Sequence, residues 1–529
     1  MNDLLWWQRG VVYQVYPRSF QDDSGDGLGD LAGITRRLDH LKWLGVDAVW
    51  LSPIFRSPMV DHGYDVSDYR DIDPMFGTLA DFDRLVARAH GLDLKVILDF
   101  VPNHTSDRHP WFQQSRTSRQ SPKRDWYLWR DPAPGGGVPN NWISNFGGAA
   151  WEWDALSGQY YYHAFHKAQP DVNWRNPEVR REMYDVMRFW FDRGVDGFRI
   201  DVLWHFIKDA EFRDNPPNPH WRPGMPPHAA VLQKFSTDQP EMVEIIRELR
   251  QVADAYPERV LIGEIYLPIE RLVAYYGQDG DGVHLPFNFQ LVTLPWDART
   301  IAAAIDRYEA ALPAGAWPNW VLGNHDKPRL ASRIGPAQAR VAAMLLFTLR
   351  GTPTIYYGEE IGMHDVEVPA AMRQDPQGRG MPGTGMERDF YRTPMQWSAG
   401  ARAGFSDADP WLPLADDCTR INVEVQREEP GSLLCLYRDL IRLRRSEAAL
   451  VGGSFAAVPA ENDVLAYFRQ AEGQRLLVAL NLGPRPAVVA CPGIRGTVVL
   501  ATTPGRGSSK IAAAVPLSAH EGVIVRVEA

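Results

Sequence analysis

Cysteine is scarce in this chain and comes late: Cys418, Cys435 and Cys491 are the only three in 529 residues. So few, odd in number and widely spaced, they build neither a disulfide framework nor a zinc site, and buried thiols are their expected use. Long apolar runs are missing too, and no stretch reaches the roughly 20 residues a membrane helix needs. Met1 to Gly10 lacks the basic-then-apolar order of a secretory leader, so a cytoplasmic protein is expected. Positive charge is in deficit: 56 Lys and Arg face 66 Asp and Glu, a formal net charge of −10. Nucleic acid and anionic membranes need a basic surface, which argues against both as main partners. What remains, 45% hydrophobic and 23% charged, is the balance of a globular protein larger than one ordinary domain.

The apolar periodicity alternates between strand and helix. Val11 to Tyr16, Ala48 to Leu51 and Leu94 to Val101 read as strands, with helices over Gly33 to Leu44 and Leu79 to His90 between them. From Thr105 to Asn173 the rhythm breaks into a Gly/Pro-punctuated, tryptophan-rich insert, whose tryptophans are expected to serve mainly as its core. Asn176-Pro177 then opens a helix ending at Gly194, and Gly197-Phe198-Arg199-Ile200-Asp201 follows as a strand. Further strands are expected at Val260 to Gly263, Gly282 to Leu285, Trp320 to Leu322 and Thr354 to Tyr357, with helices at Glu241 to Ala255, Ala298 to Ala311 and Ala337 to Leu349. Eight such β/α units predict a (β/α)8 barrel. After a last amphipathic helix, Ser432 to Arg445, short strands separated by Gly/Pro turns predict a small antiparallel domain. The expected division is barrel over 1–104 and 174–449, inserted subdomain over 105–173, and a β-sandwich over 450–529.

In a barrel of this kind catalytic groups sit at the C-terminal ends of the strands. Polar residues recur there: Asp99, Asn103 and His104 after the third strand, Arg199 and Asp201 on the fourth, Glu264 after the fifth, and Asn324-His325-Asp326 after the seventh. Arg199 and Asp201 share one face of their strand. By themselves they are either a structural ion pair or a nucleophile with the cation that keeps it ionised. Four such groups converging on one rim favour a site.

These stretches resemble the α-amylase family of glycoside hydrolases, in its α-glucosidase and oligo-1,6-glucosidase branch. The matching segments are Asp99-Phe100-Val101-Pro102-Asn103-His104, Gly197 to Asp201, Gly263-Glu264 and Asn324-His325-Asp326, in the family's order. Gln169-Pro170-Asp171-Val172-Asn173, Gly351 to Gly358 and Arg392-Thr393-Pro394-Met395-Gln396-Trp397 extend the match over nearly the whole chain. The resemblance implies that Asp201 is the nucleophile, Glu264 the general acid and then base, and Asp326 the carboxylate that binds sugar hydroxyls and steadies the transition state. It implies that His104 and His325 donate to the same glucose, that Tyr64 stacks beneath it, and that Asp61 holds its far hydroxyls. Asp61 is expected to pair with Arg392, closing the pocket and making the enzyme exo-acting. Phe165 is the expected aromatic wall. Val202, after the nucleophile, leans towards α-1,6 linkages, although maltose-type substrates stay as well supported.

Asp22, Ser24, Asp26, Leu28 and Asp30 place oxygen donors at alternate positions of a glycine-rich loop, the pattern of a structural Ca2+ or Mg2+ site. The second calcium site of true α-amylases is not expected, since Asn103 matches but has no evident partners. Leu203 to Pro240, with seven prolines, is read as a rigid outer wall shaping leaving-group choice. The expected activity is a retaining exo-α-glucosidase acting on short α-glucosides, as a monomer or homodimer. The alternatives are a transglucosylase using an acceptor alcohol or sugar, and a non-catalytic carbohydrate-binding relative.

Overall fold

The computed structural model describes residues 4–528. Eight parallel strands form the central sheet: β1 (Val12–Val15), β2 (Ala48–Leu51), β3 (Lys95–Phe100), β4 (Gly197–Ile200), β5 (Val260–Gly263), β6 (Leu285–Pro286), β7 (Asn319–Val321) and β8 (Thr352–Tyr356). Each pairs with its neighbours in sequence, and β1 also pairs with β8. A parallel bridge between Asn288 and Trp320 joins β6 to β7, so the sheet closes into the expected barrel. Strand β6 starts later than the sequence suggests. Gly282 and Val283 turn back to donate to the carbonyls of Tyr276 and Tyr275, which delays pairing until Leu285.

The barrel interior is filled by alternate strand residues, among them Val12, Trp50, Ile97, Ile262, Leu285 and Val321. The outer faces pack on α1 (Leu31–Leu44), α2 (Leu79–Gly91), α3 (Pro177–Asp192), α4 (Met242–Asp254), α5 (Ile269–Leu272), α6 (Ala298–Ala311), α7 (Pro336–Thr348) and α8 (Leu433–Ser446). Their ends follow capping chemistry. Asn176 caps α3 with Pro177 at its first position, Thr78 and Asp81 form a capping box on α2, and Gly45 ends α1 at φ 100°.

Residues 105–173 fold onto a small antiparallel sheet of Trp129–Arg130, Trp151–Asp154 and Gln159–Tyr162. Its tryptophans are mostly core: Trp126, Trp129, Trp142 and Trp151 are buried, while Trp153 is exposed. The insert is tied to the barrel by a bridge of His104 with Asp171 and by the Val172 N–H on the Asn103 carbonyl, while a bridge of Tyr127 with Val172 closes the insert on itself.

The C-terminal strands β9 (Ser454–Val458), β10 (Val464–Ala471), β11 (Gln474–Asn481), β12 (Ala487–Ala501), β13 (Lys510–Leu517) and β14 (Gly522–Val527) form one six-stranded antiparallel sheet. The two-sheet sandwich expected is thus a single sheet. One face, including Val464, Leu477, Val489 and Val525, makes its own core, and the other, including Tyr467, Val478 and Ile524, joins the barrel core. Helix α7 lies between barrel and sheet, which explains why it is buried nearly all round.

Candidate active site

Strand register builds the centre of the site. Asp99 of β3 lies directly opposite Arg199 of β4, and the buried guanidinium spreads over three carboxylates. Its Nη1 donates to Asp99 Oδ1 at 2.7 Å and to Asp201 Oδ1 at 2.8 Å, and its Nη2 forms an ion pair with Glu264 Oε2 at 2.8 Å. Asp201 and Glu264 follow β4 and β5 directly and are within hydrogen-bonding reach of one another. Asp99 also accepts from Trp50 Nε1 at 3.2 Å and the Tyr64 hydroxyl at 3.1 Å.

One guanidinium cannot hold three buried carboxylates fully ionised. Burial pushes Asp201 well above the usual carboxylate range against the pull of Arg199, and pushes Glu264 upward as well. The depressed Asp201 pKa that Arg199 alone suggests is therefore not what this buried, acid-rich site gives. Asp326 goes the other way: burial raises it, but the guanidiniums of Arg388 and Arg392 outweigh burial and hold it below the usual range. The site thus separates one firmly ionised carboxylate from an acidic pair sharing a cation.

Tyr64 and His325 form the pocket floor, their rings parallel within 5° at 5.4 Å. Gln14 Nε2 donates to His325 Nδ1 at 2.8 Å, which leaves the ring hydrogen on Nε2, 2.7 Å from the Tyr64 hydroxyl. Burial keeps His325 neutral and lowers His104 to about 4, so both present neutral imidazoles at ordinary pH. The pocket, about 330 Å3, is lined by the expected Asp61, Tyr64, His104, Phe165, Asp201, Val202, Glu264, His325 and Asp326. Arg199 and Arg392 stand behind this lining and position its carboxylates.

Arg392 does not pair with Asp61. It donates to Asp326 Oδ1 at 2.9 Å and to the His325 carbonyl at 2.8 Å. The partner of Asp61 is Arg388, at 2.7 Å, which also binds Asp375 at 2.7 Å and Asp326 at 3.2 Å. A short 3-10 turn, Asp389–Tyr391, sets the two arginines four residues apart, one at the closed end of the pocket and one behind it. The sequence signal for Arg388 was its place one turn before the Arg-Thr-Pro motif.

Asn103 does have partners. Lys208 Nζ donates to Asn103 Oδ1 at 2.9 Å and to Asp171 Oδ2 at 2.5 Å, so a buried ammonium supplies the positive charge between barrel and insert. In the acidic loop, Asp22 accepts from Gly25 N, Gly27 N and the hydroxyls of Ser24 and Ser406, and Asp30 caps α1 through Gly33 N. Among the described residues no three acidic, histidine or cysteine side chains converge as a metal cluster. The donors are oxygens of the right kind, and a hard cation there would draw Asp22, Asp26 and Asp30 together.

Comparison with known proteins agrees with this geometry. The alpha amylase catalytic domain matches residues 14–453, and a domain of unknown function (DUF3459) matches residues 452–524. The chain belongs to the α-amylase family. It is 41% identical over 505 residues to the probable alpha-glucosidase of Rhizobium meliloti, covering 93% of this chain and 92% of that one. It is 38% identical over 523 residues to the oligo-1,6-glucosidase of Halalkalibacterium halodurans, covering 92% of each. Among solved members of the family, the alpha-glucosyl transfer enzyme XgtA shares 41% identity at a TM-score of 0.94 over 99% of this chain and all of that one. The trehalulose synthase MutB of Pseudomonas mesoacidophila shares 34% at 0.91 over 99% and 100%.

Proposed function

We propose that the protein is a retaining, exo-acting α-glucosidase that releases α-glucose from the non-reducing end of short maltose- or isomaltose-type glucosides. The observation that carries this reading is the sharing of Arg199 between Asp201 and Glu264 in a pocket closed by Asp61 and Arg388. Two carboxyl groups gripped by one guanidinium, each 2.8 Å from it, match the ~5 Å spacing of a double displacement better than the ~6.5–9.5 Å gap an inverting enzyme needs for water. With the one proton of the pair on Glu264 and Asp201 ionised beside Arg199, Asp201 attacks the anomeric carbon and the glycosidic C–O bond breaks as Glu264 protonates the departing oxygen. Glu264 then takes a proton from water, which displaces Asp201 and restores the α-configuration. Asp326, held ionised, binds ring hydroxyls and stabilises the cationic transition state, with Tyr64 beneath the ring.

Similarity to an alpha-glucosidase and an oligo-1,6-glucosidase supports glucoside hydrolysis, and similarity to the glucosyl transfer enzyme XgtA and the trehalulose synthase MutB supports glucosyl transfer as the second reading. Initial rates on maltose, isomaltose, sucrose, trehalose and longer maltodextrins, with and without an acceptor alcohol, test both. Free glucose as the main product supports hydrolysis, glucoside formation supports transfer, and no turnover of any of them defeats both. A structural Ca2+ or Mg2+ in the Asp22 to Asp30 loop belongs to the same proposal. So does a cytoplasmic place as a monomer or homodimer, for which the three free cysteines speak. No helix among the described residues is long and apolar enough to cross a membrane.

A further inference from the structure

Directly after Asp201 the backbone makes an unusual turn. Val202 has φ 37° and ψ 46°, the left-handed region that a β-branched residue avoids. The turn has a visible consequence: it aims the Val202 N–H at Glu264 Oε2, 2.8 Å away. Leu203 N follows by donating to the Glu264 carbonyl at 3.2 Å, so the turn after β4 grips both ends of the residue after β5.

Oε2 therefore accepts the Val202 N–H and pairs with the Arg199 guanidinium, whose Nη2 lies 2.8 Å away. An oxygen that accepts such a bond while facing a cation has no reason to carry a proton of its own. We infer that the strained turn at Val202 is a positioning device: its main-chain N–H fixes which oxygen of Glu264 is the acid, holding Oε2 as the acceptor and leaving the transferable proton on Oε1. The inference rests on Glu264 being the general acid. When Oε1 gives its proton to the departing oxygen, the O–H bond breaks, the new O–H bond forms on the leaving group, and the negative charge spreads onto Oε2. There the N–H and the guanidinium already point. On the return step Oε1 recovers a proton from water and the charge is lost again. The N–H thus favours the ionised form of the acid and assists its departure.

The role explains why strain is kept beside the nucleophile. A right-handed or extended Val202 would turn the N–H away, and Oε2 of Glu264 would keep only its ion pair with Arg199.

The test replaces Val202 by its α-hydroxy acid, which exchanges the N–H for an ester oxygen and keeps the side chain. Val202→Gly is the companion: it keeps the N–H and adopts positive φ without strain. The basic limb of the kcat/KM profile on maltose should move up by about a pH unit in the ester protein, with roughly tenfold loss of kcat. The loss should be much smaller on an aryl glucoside whose leaving group needs no proton. Val202→Gly should keep the wild-type basic limb and should not lower Tm, because released strain offsets the lost side chain. An unmoved limb in the ester protein, or an equal shift in Val202→Gly, overturns the inference. If the ester protein does not fold, Val202→Gly decides alone, and a shifted limb with a lowered Tm overturns it. Glu264→Gln separates the two levels. If it leaves the basic limb in place, the assignment of the acid fails; if it abolishes the limb while the ester does not move it, the role of Val202 fails.

Discussion

Arg388 meets Asp61 at 2.7 Å across 327 residues of chain, and this contact closes one end of the substrate pocket. The same guanidinium holds Asp375 and Asp326, so the wall that ends the pocket and the carboxylate proposed to bind sugar hydroxyls lean on one cation. Arg388→Ala leaves Asp61 and Asp375 buried without their partner. The expected result is a fall of roughly 100-fold or more in kcat/KM for maltose, mainly through KM, measured by steady-state kinetics. Arg392→Ala should instead lower kcat, since it supports Asp326 and does not line the pocket.

Glu359, after β8, is buried with both carboxyl oxygens unpartnered, and burial raises its pKa from 4.5 to about 8. Between those values the native state binds a proton that the unfolded chain does not, so stability must fall as pH rises through the window. Urea unfolding should show a loss on the order of a few kcal/mol between mildly acidic and mildly alkaline pH. Glu359→Gln should flatten that slope; an unchanged slope would assign the pH dependence elsewhere.

Lys208→Met removes the ammonium between Asn103 and Asp171 and strands a buried carboxylate. A destabilisation of about 3–5 kcal/mol is expected, read as a lower Tm. Adding Asp171→Asn should recover much of it, because the charge that Lys208 compensates is then gone.

For the acidic loop, added Ca2+ should raise Tm and a chelator should lower it, with kcat unchanged at a temperature where the protein stays folded. A Tm insensitive to both would leave Asp22 and Asp30 as caps of their own loop.

The barrel was readable from the sequence because its signals are local: apolar strands, capped helices and polar residues just past strand ends. Asp201, Glu264 and Asp326 could be named from those positions and from the family's motifs. Arg388 could not, since only the folded turn Asp389–Tyr391 decides which of two arginines faces Asp61. Lys208 escaped for a similar reason. It lies in the long segment after β4 and meets Asn103 and Asp171 only once insert and barrel pack. Strand β12 has no clean sequence signal, because its alternating burial is interrupted around Pro492-Gly493, where the register shifts. The left-handed Val202 is the clearest case: a valine gives no sequence warning of positive φ.

The central claim is double displacement at Asp201 with Glu264 as acid and base. Proton NMR of the first product formed from maltose or an aryl α-glucoside, recorded before mutarotation, tests it most directly. The account predicts α-glucose at the earliest times, with β-glucose appearing only as the anomers equilibrate. Initial release of β-glucose would contradict it.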